Sequence, residues 1–169
     1  SAENLMNVNI RIRERDKVGI KKIRFVGNKS IPASDLRKQM ETEAETWISF
    51  IDDSGIYNKD TLRLDMFRLE GYYHDHGYIR VRVMEPKIDV NRKDREINII
   101  ISIEEGPRYR VGKITVQRDE TLTEKEILKS IKTKKKEIYS VSRVRKDLLS
   151  ITELYSQRGY AYADVNPVT

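Results

Sequence analysis

Apolar and polar residues alternate in several short stretches of this chain. The clearest stretch has isoleucine at every second position: Ile97, Ile99, Ile101 and Ile103. Shorter alternating stretches run from Ile20 to Phe25 and from Val111 to Val116. A period of two places successive side chains on opposite faces of an extended chain, so these stretches predict half-buried β-strands.

Two longer segments repeat their apolar residues with the period of an α-helix. The stripes fall at i, i+4, i+7 and i+11: Leu62, Met66, Leu69 and Tyr73 in the first segment, and Val144, Leu148, Ile151 and Tyr155 in the second. We expect each helix to begin after a capping residue, Asn58 or Ser140, and to end at Gly77 or Gly159. A shorter helix precedes each long one, and in the second half it begins with a capping box at Thr123.

The two halves of the chain repeat one another. Adding 91 to the numbers of five apolar residues gives five apolar residues in the second half: Ile23, Phe25, Ile31, Leu36 and Met40 become Ile114, Val116, Leu122, Ile127 and Ile131. Further along, the offset falls to 82, which matches Asp65 with Asp147. The first copy therefore carries nine extra residues between Glu41 and Gly55.

Each copy follows the order strand, helix, helix, strand, strand. We predict an α+β fold of tandem units, each with a three-stranded sheet that carries both helices on one face. The strand after the second helix is predicted to begin at Ile79 and to run past Pro86 to Val90. Proline donates no ladder hydrogen bond, so Pro86 indicates either an edge strand or a bulge.

The amino end carries a further strand of the last type. At the offset of 91, Val8, Ile10, Ile12 and Glu14 match Ile99, Ile101, Ile103 and Glu105. We expect residues 1–17 to be the last strand of a preceding unit, 18–106 a complete unit, and 107–169 a second unit lacking its last strand. In a crystal, residues 6–14 of one copy are expected to complete the second unit of another copy or to pair with another open edge.

Composition narrows the chemistry. The 169 residues include 33 Lys+Arg and 27 Asp+Glu, a net charge of +6 that permits an anionic partner without requiring one. There is no cysteine, and the two histidines, His74 and His76, point to different sides of a helix. We therefore predict no catalytic residues, no metal and no cofactor. No stretch approaches the ~20 apolar residues of a membrane-spanning helix, and residues 1–4 lack the basic segment and apolar core that are typical of a secretory signal.

The order of these features resembles a known family. The residues that carry the resemblance are Gly27, Asn28, Tyr72, Tyr73, Gly77, Tyr78, Val81, Val83, Ile99, Ile101, Ile103 and Gly106. They resemble the POTRA (polypeptide-transport-associated) domain, and most of all the tandem units of outer-membrane protein assembly factors. The resemblance implies a non-enzymatic periplasmic scaffold with a membrane β-barrel carboxy-terminal to it. It also implies two kinds of partner, unfolded outer-membrane proteins and accessory assembly lipoproteins.

The edge strand is the predicted partner-binding site. Its residues are Ile79, Arg80, Val81, Arg82, Val83 and Met84. An exposed strand edge accepts an added strand from another chain, and backbone pairing requires no particular sequence. Arg80 and Arg82 have a second interpretation, as charges that protect the edge from aggregation.

A second candidate patch combines Trp47 and Phe50 with Lys134, Lys135 and Lys136. The first two, in the nine-residue insertion, either pack over the helices or a neighbouring unit, or bind a partner. The lysines either form a solvated loop or contact an acidic partner or anionic lipid headgroups.

Two other functions remain open. Tandem units of this kind also occur in two-partner secretion and related translocation transporters. A basic α+β nucleic-acid-binding domain is less favoured, because the strand at residues 97–103 presents no stacking aromatic residue. We therefore expect no nucleic-acid partner.

Overall fold

The computed structural model describes residues 19–45, 55–117, 121–160 and 163–166. Within these ranges the elements are β1 (Gly19–Val26), α1 (Ala33–Arg37), α2 (Lys59–Asp75), β2 (Arg82–Val83), β3 (Lys87–Asn91), β4 (Glu96–Glu104), α3 (Glu124–Ser130) and α4 (Val141–Gln157). This mixture of helices and strands confirms the predicted α+β fold. The strand predicted at residues 6–14 lies outside the described residues.

β4 is the central strand of the sheet. β1 runs parallel along one side of it, from Gly19 opposite Glu96 to Val26 opposite Ser102. β3 and β2 run antiparallel along the other side, with β3 beside the first half of β4 and β2 beside its end. The sheet has four strands where the sequence predicted three, because the predicted edge strand is split in two.

The predicted strand from Ile79 to Val90 is not continuous. Ile79 and Arg80 lie in a turn that follows α2, and pairing with β4 begins at Arg82. β2 stops before Pro86, and β3 resumes the pairing afterwards. Proline has no amide hydrogen to donate to a ladder, which accounts for an interruption at this point. The predicted strand pairs with β4, but this pairing begins at Arg82, so the predicted start at Ile79 is wrong.

The core of the first unit lies on one face of this sheet. It combines alternate residues of β4 with the predicted stripe of α2 and one residue of α1: Ile97, Ile99, Ile101, Ile103, Leu62, Leu69, Tyr73 and Leu36. Each buried isoleucine contributes about 1.5–3 kcal/mol to stability. The alternation in β4 thus fixes which face of the sheet the helices cover.

The long helices begin and end as the sequence predicts. The side chain of Asn58 accepts amide hydrogens at the start of α2, and that of Ser140 does so at the start of α4. Gly77 and Gly159 follow the helices with φ of +91° and +89°, a conformation that glycine adopts without strain. Thr123 forms the predicted capping box of α3.

The second unit keeps this helix pair, but its first strand is not formed. Arg110 makes a single bridge with Ile138, and residues 111–117 form no ladder within the described part of the chain. In the first unit the equivalent strand, β1, pairs with β4. The predicted strand from Val111 to Val116 is therefore not present in this structure.

One pair of backbone hydrogen bonds locates the insertion in the first unit. Ile20 donates its amide hydrogen to Gly55 and accepts one from the amide of Glu45, both at 2.7 Å. Its equivalent, Val111, makes the same two bonds at 2.8 Å with the adjacent residues 137 and 136. The nine residues that separate Glu45 from Gly55 are therefore the insertion.

The two units meet end to end. The amide of Tyr109 donates to the carbonyl oxygen of Gly77 at 2.8 Å, just beyond the end of α2. Asp75, the last residue of α2, accepts hydrogen bonds from the Ser140 hydroxyl (2.9 Å) and the Ser142 amide (2.8 Å). The carboxyl end of α2 thus helps to cap the amino end of α4.

Candidate partner-binding edge

β3 leaves one flank of the sheet open to solvent. All five of its residues are exposed, including the apolar Ile88 (37%) and Val90 (51%). One side of β3 pairs with β4, and its other side makes no backbone hydrogen bond with a described residue. Unpaired backbone groups on an edge strand are a template for pairing with another chain.

The opposite edge of the sheet, along β1, is partly covered. The backbone of Ile20 is bonded on its outer side by Gly55 and Glu45. Further along, the Arg37 guanidinium donates to the carbonyl oxygen of Ile23 at 3.3 Å. Among the described residues, the side formed by β2 and β3 is therefore the more accessible edge for an added strand.

The predicted edge residues occupy three different environments. Val81 is buried in the core, and the amide of Met84 donates to Ser102 of β4 at 2.9 Å. Arg82 and Val83 form β2. Ile79 lies in the turn before it and is 40% exposed. The strand edge in the structure therefore begins at Arg82, whereas the predicted edge began at Ile79.

The two edge arginines both have partners. The Arg80 guanidinium lies 5.8 Å from the centre of the Tyr109 ring, within range of a cation–π contact between the units. Arg82 forms an ion pair with Glu104 on the facing strand. Both groups of this pair are well exposed, so the pair contributes little to stability.

Sequence reasoning left Ile88 and Val90 out of the site. They were predicted to lie on the continuation of the edge strand, but the site was limited to the residues before Pro86. The signal was present, because Ile88 and Val90 alternate with Lys87, Asp89 and Asn91. In the structure these two residues give the open edge an apolar face.

A buried carboxylate holds the end of β4 to the helix layer. Glu105 accepts hydrogen bonds from the Ser30 amide (2.9 Å) and the Tyr73 hydroxyl (3.0 Å). Burial by itself raises the pKa of Glu105, but these hydrogen bonds outweigh it and hold the pKa below its ordinary value. Burial, together with the bond to Glu105, raises the pKa of Tyr73. The sequence showed two adjacent glutamates at a strand end, and the structure buries the second while Glu104 stays exposed.

The second candidate patch is only partly described. Trp47 and Phe50 lie outside the described residues. Lys134, Lys135 and Lys136 are exposed in the turn between α3 and α4, where their backbone contacts Val111 through the Lys136 amide. The structure therefore places three lysines together on the surface of the second unit.

Neither a metal-binding cluster nor a membrane-spanning helix occurs among the residues that the structure describes. Among the described residues, no group of three or more histidine, aspartate or glutamate side chains is placed to hold a metal ion. The described helices include none that is both long and apolar enough to span a bilayer.

Comparison with known proteins identifies relatives of the chain. It is 27% identical over 166 residues to the outer membrane protein assembly factor BamA of Nitratidesulfovibrio vulgaris, which covers 95% of the chain and 20% of the relative. It is 28% identical over 167 residues to the protein of the same name from Neisseria meningitidis serogroup B, covering 98% of the chain and 21% of the relative. The chain thus spans about a fifth of the length of these relatives.

The fold has a close counterpart among solved structures. The crystal structure of Haemophilus influenzae BamA POTRA3-5 superposes with a TM-score of 0.70 at 20% identity, over 95% of this chain and 63% of that one. The POTRA family model, described as surface antigen variable number repeat, matches residues 18–106 and 109–169. The two ranges that the family model matches cover most of the sequence, so the chain belongs to the POTRA family.

Proposed function

We propose that this chain is an interaction scaffold in outer-membrane protein assembly, which binds unfolded outer-membrane proteins by strand addition. As a pair of POTRA units it belongs to the periplasmic part of an outer-membrane protein. The curated relatives are named as assembly factors, and their similarity extends over nearly the whole chain. This similarity supports the general role, and the open edge of the sheet supports the mode of binding.

The observation that carries the proposal is the exposed strand β3. An added strand would gain backbone hydrogen bonds along β3 without needing a specific sequence. Strands of outer-membrane proteins alternate between apolar and polar residues. Ile88 and Val90 lie on one face of β3, so they would contact the apolar residues of such a strand.

Photo-crosslinking tests this mode of binding. Benzoylphenylalanine placed at Ile88 or Val90 should crosslink to an unfolded outer-membrane protein that is diluted from urea into the full chain. The same probe at Lys22 of β1 is the matched control, because it is exposed on a strand that flanks the other side of β4. We expect crosslinking at least several-fold stronger from β3 than from β1.

Hydrogen exchange provides an independent measurement. Amides on the outer side of β3 should exchange more slowly when the client is present, because an added strand would accept their hydrogens. Equal crosslinking from Lys22 and Val90, without any slowing of amide exchange in β3, would contradict the strand-addition proposal. The general assignment to the POTRA family would be unaffected.

We further propose that accessory lipoproteins contact the lysines of the second unit. Lys134, Lys135 and Lys136 form an exposed basic turn that suits an acidic protein surface. Changing Lys134 and Lys135 to Glu should weaken lipoprotein capture and its salt dependence. The matched control is Lys125 and Lys129, exposed on α3, changed in the same way. An equal loss in both variants would assign the effect to net charge alone.

A further inference from the structure

A pocket lies between the two helices of the second unit. Its volume is about 320 Å³, and its lining residues come from α3, α4 and the residues next to them. Leu122, which is 2% exposed, and the half-buried Leu154 supply apolar surface, and Lys129 and Arg158 are polar lining residues that are exposed. A cavity of ~150 Å³ can hold benzene, so this space is large enough for an aromatic ring.

The first unit carries an aromatic side chain at the equivalent position. At the offset of 82, Leu154 corresponds to Tyr72, which packs half-buried against the core of the first unit. The centre of the Tyr72 ring lies 4.2 Å from that of His76. The pKa of Lys38, at the end of α1, is raised by its hydrogen bond to Asp35 and more weakly by Tyr72. The Tyr72 side chain therefore reaches from α2 towards α1.

Leucine leaves this space open in the second unit. The residue before the short helix is apolar and buried in both units, since Leu122 corresponds to Ile31 at the offset of 91 (2% and 6% exposed). The main change at this place is from the aromatic ring of Tyr72 to the smaller side chain of Leu154. The pocket thus corresponds to the space that an aromatic ring occupies in the first unit.

The residue that stacks on Tyr72 also has a counterpart that can stack. Arg158 corresponds to His76 at the offset of 82, and its guanidinium is flat and packs well on aromatic rings. It donates hydrogen bonds to the Glu126 carboxylate at 2.6 Å and to the Thr121 carbonyl oxygen at 3.4 Å. These bonds hold the guanidinium at the pocket before any ligand arrives, which lowers the entropy cost of binding.

We propose that this pocket binds an aromatic side chain of an unfolded outer-membrane protein, stacked on Arg158. The inference rests on the proposed function, because it takes the same client as the partner. Transmembrane β-barrels carry girdles of aromatic residues at both membrane interfaces. An unfolded client exposes these side chains to solvent, and each can bury ~150–250 Å² on binding. The pocket would give a client held at β3 a second contact on the next unit.

Filling the pocket with a ring of the chain itself tests the site. The probe is p-cresol, the side chain of tyrosine, titrated into the 169-residue chain while the methyl signals of Leu122 are followed by NMR. We expect a saturable shift, and Leu154→Tyr should weaken p-cresol binding by about ten-fold or more. This variant should fold, because tyrosine stands at the equivalent position of the first unit.

The matched control places the same ring elsewhere on the same helix. Leu149 is 63% exposed and does not line the pocket, so Leu149→Tyr should leave p-cresol binding unchanged within about two-fold. A second variant, Arg158→Lys, keeps the charge but loses the flat stacking surface, and it should weaken binding about three-fold or more. Equal binding of p-cresol by the natural chain, Leu154→Tyr and Arg158→Lys would overturn the proposal.

Photo-crosslinking tests the choice of client. A lysine analogue with a diazirine group at Gln157, an exposed residue that lines the pocket, should crosslink to an unfolded outer-membrane protein diluted from urea. The analogue has no aromatic ring of its own that could enter the pocket. Crosslinking should fall about five-fold or more in Leu154→Tyr, and equally when the aromatic residues of the client are changed to Leu. Glu153, exposed one turn earlier on α4, is the control position and should crosslink weakly throughout.

Probes at Ile88 and Val90 of β3 separate this inference from strand addition. If β3 crosslinks to the client while crosslinking from Gln157 depends neither on Leu154 nor on the aromatic residues of the client, the aromatic site is wrong and strand addition stands. If neither β3 nor Gln157 crosslinks to any client, both proposals are contradicted. Crosslinking from Gln157 that requires both the open pocket and the aromatic residues would support the site.

Discussion

Asp65 and Asp147 hold the same position in the two units, and each bonds two successive backbone amides of the segment after the short helix. Asp65 accepts from the amides of Glu41 and Thr42 at 2.9 Å each. Asp147 accepts from residues 132 and 133 at 2.7 and 2.9 Å. Both carboxylates are buried, so the long helix of each unit fixes the path of the chain that leaves the short helix.

Replacing Asp65 with Ala should destabilise the first unit. The amides of Glu41 and Thr42 would lose their acceptor, and Thr42 is itself buried. An unsatisfied buried group costs about 1–3 kcal/mol, so we expect a loss of that order or somewhat more in the free energy of unfolding. Urea denaturation measures it, and Arg63→Ala on the exposed side of α2 is the control.

The equivalent change in the second unit should have a local signature. In Asp147→Ala, the amides of Lys132 and Thr133 should exchange faster with solvent, while those of Glu41 and Thr42 should not change. Asp65→Ala should give the reverse pattern. Faster exchange of all four amides in both variants would show that these carboxylates do not act within single units.

Glu105 should make the first unit sensitive to acid. Its folded-state pKa is lowered by hydrogen bonds that outweigh the effect of burial. A lowered pKa means that the stabilisation is present above the unfolded pKa of about 4.3 and is lost as the pH falls through the folded value. Glu105→Gln should therefore lower the free energy of unfolding at pH 7 by about 1–3 kcal/mol, and by less near pH 3.

Denaturant unfolding between pH 7 and pH 3 checks this dependence. Glu104→Gln is the control, because Glu104 is the adjacent residue and is exposed. The free energy of unfolding of Glu105→Gln would then be compared with that of the natural chain at each pH. If the difference stays constant over this range, the site does not selectively stabilise the charged carboxylate.

Gly77 and Gly159 allow the contact between units to be separated from helix termination. Both have φ near +90°, so alanine at either position is strained by about 1–2 kcal/mol. A Cβ at Gly77 would lie 2.7 Å from the carbonyl oxygen of Tyr109, whereas one at Gly159 would meet no atom of a described residue within 4 Å. Gly77→Ala should therefore be the more destabilising of the two substitutions.

The measurement should include the relative orientation of the units. Residual dipolar couplings or small-angle scattering should change in Gly77→Ala and stay unchanged in Gly159→Ala. Equal losses of stability with unchanged orientation in both variants would contradict the assigned role of Gly77 at the junction.

Asp75→Ala should loosen the start of α4. Asp75 ends α2, where the helix dipole disfavours a negative charge, so its removal would stabilise α2 slightly if it acted only there. Because it bonds to Ser140 and Ser142, we expect instead a loss of about 1 kcal/mol and faster exchange of the Ser142 amide. Glu70→Ala on the same helix is the control. An unchanged exchange rate of the Ser142 amide would show that Asp75 does not stabilise the start of α4.

Much of the fold could be predicted from local patterns in the sequence. The alternating isoleucines of β4, the stripe of α2, and the caps at Asn58 and Ser140 all occur where the sequence predicted them. These features depend on the period of each element and on contacts between residues that are close together in the sequence. The repeat also follows from such positions, since each unit uses the same pattern.

The candidate site was harder to predict, because it depends on pairing between distant segments. The sequence predicted one strand from Ile79 through Pro86 to Val90, but it could not show where the pairing with β4 starts or is interrupted. The apolar residues Ile88 and Val90 were visible, but their exposure depends on β3 having β4 on one side alone.

The sequence by itself determined the types of element, their order, the repeat and the faces that become buried, because side-chain periodicity and capping act locally. Only the tertiary structure decided which edge of the sheet is open, which of Glu104 and Glu105 is buried, and where the insertion lies. Those outcomes depend on hydrogen bonds such as the pair at Ile20, which join residues far apart in the chain.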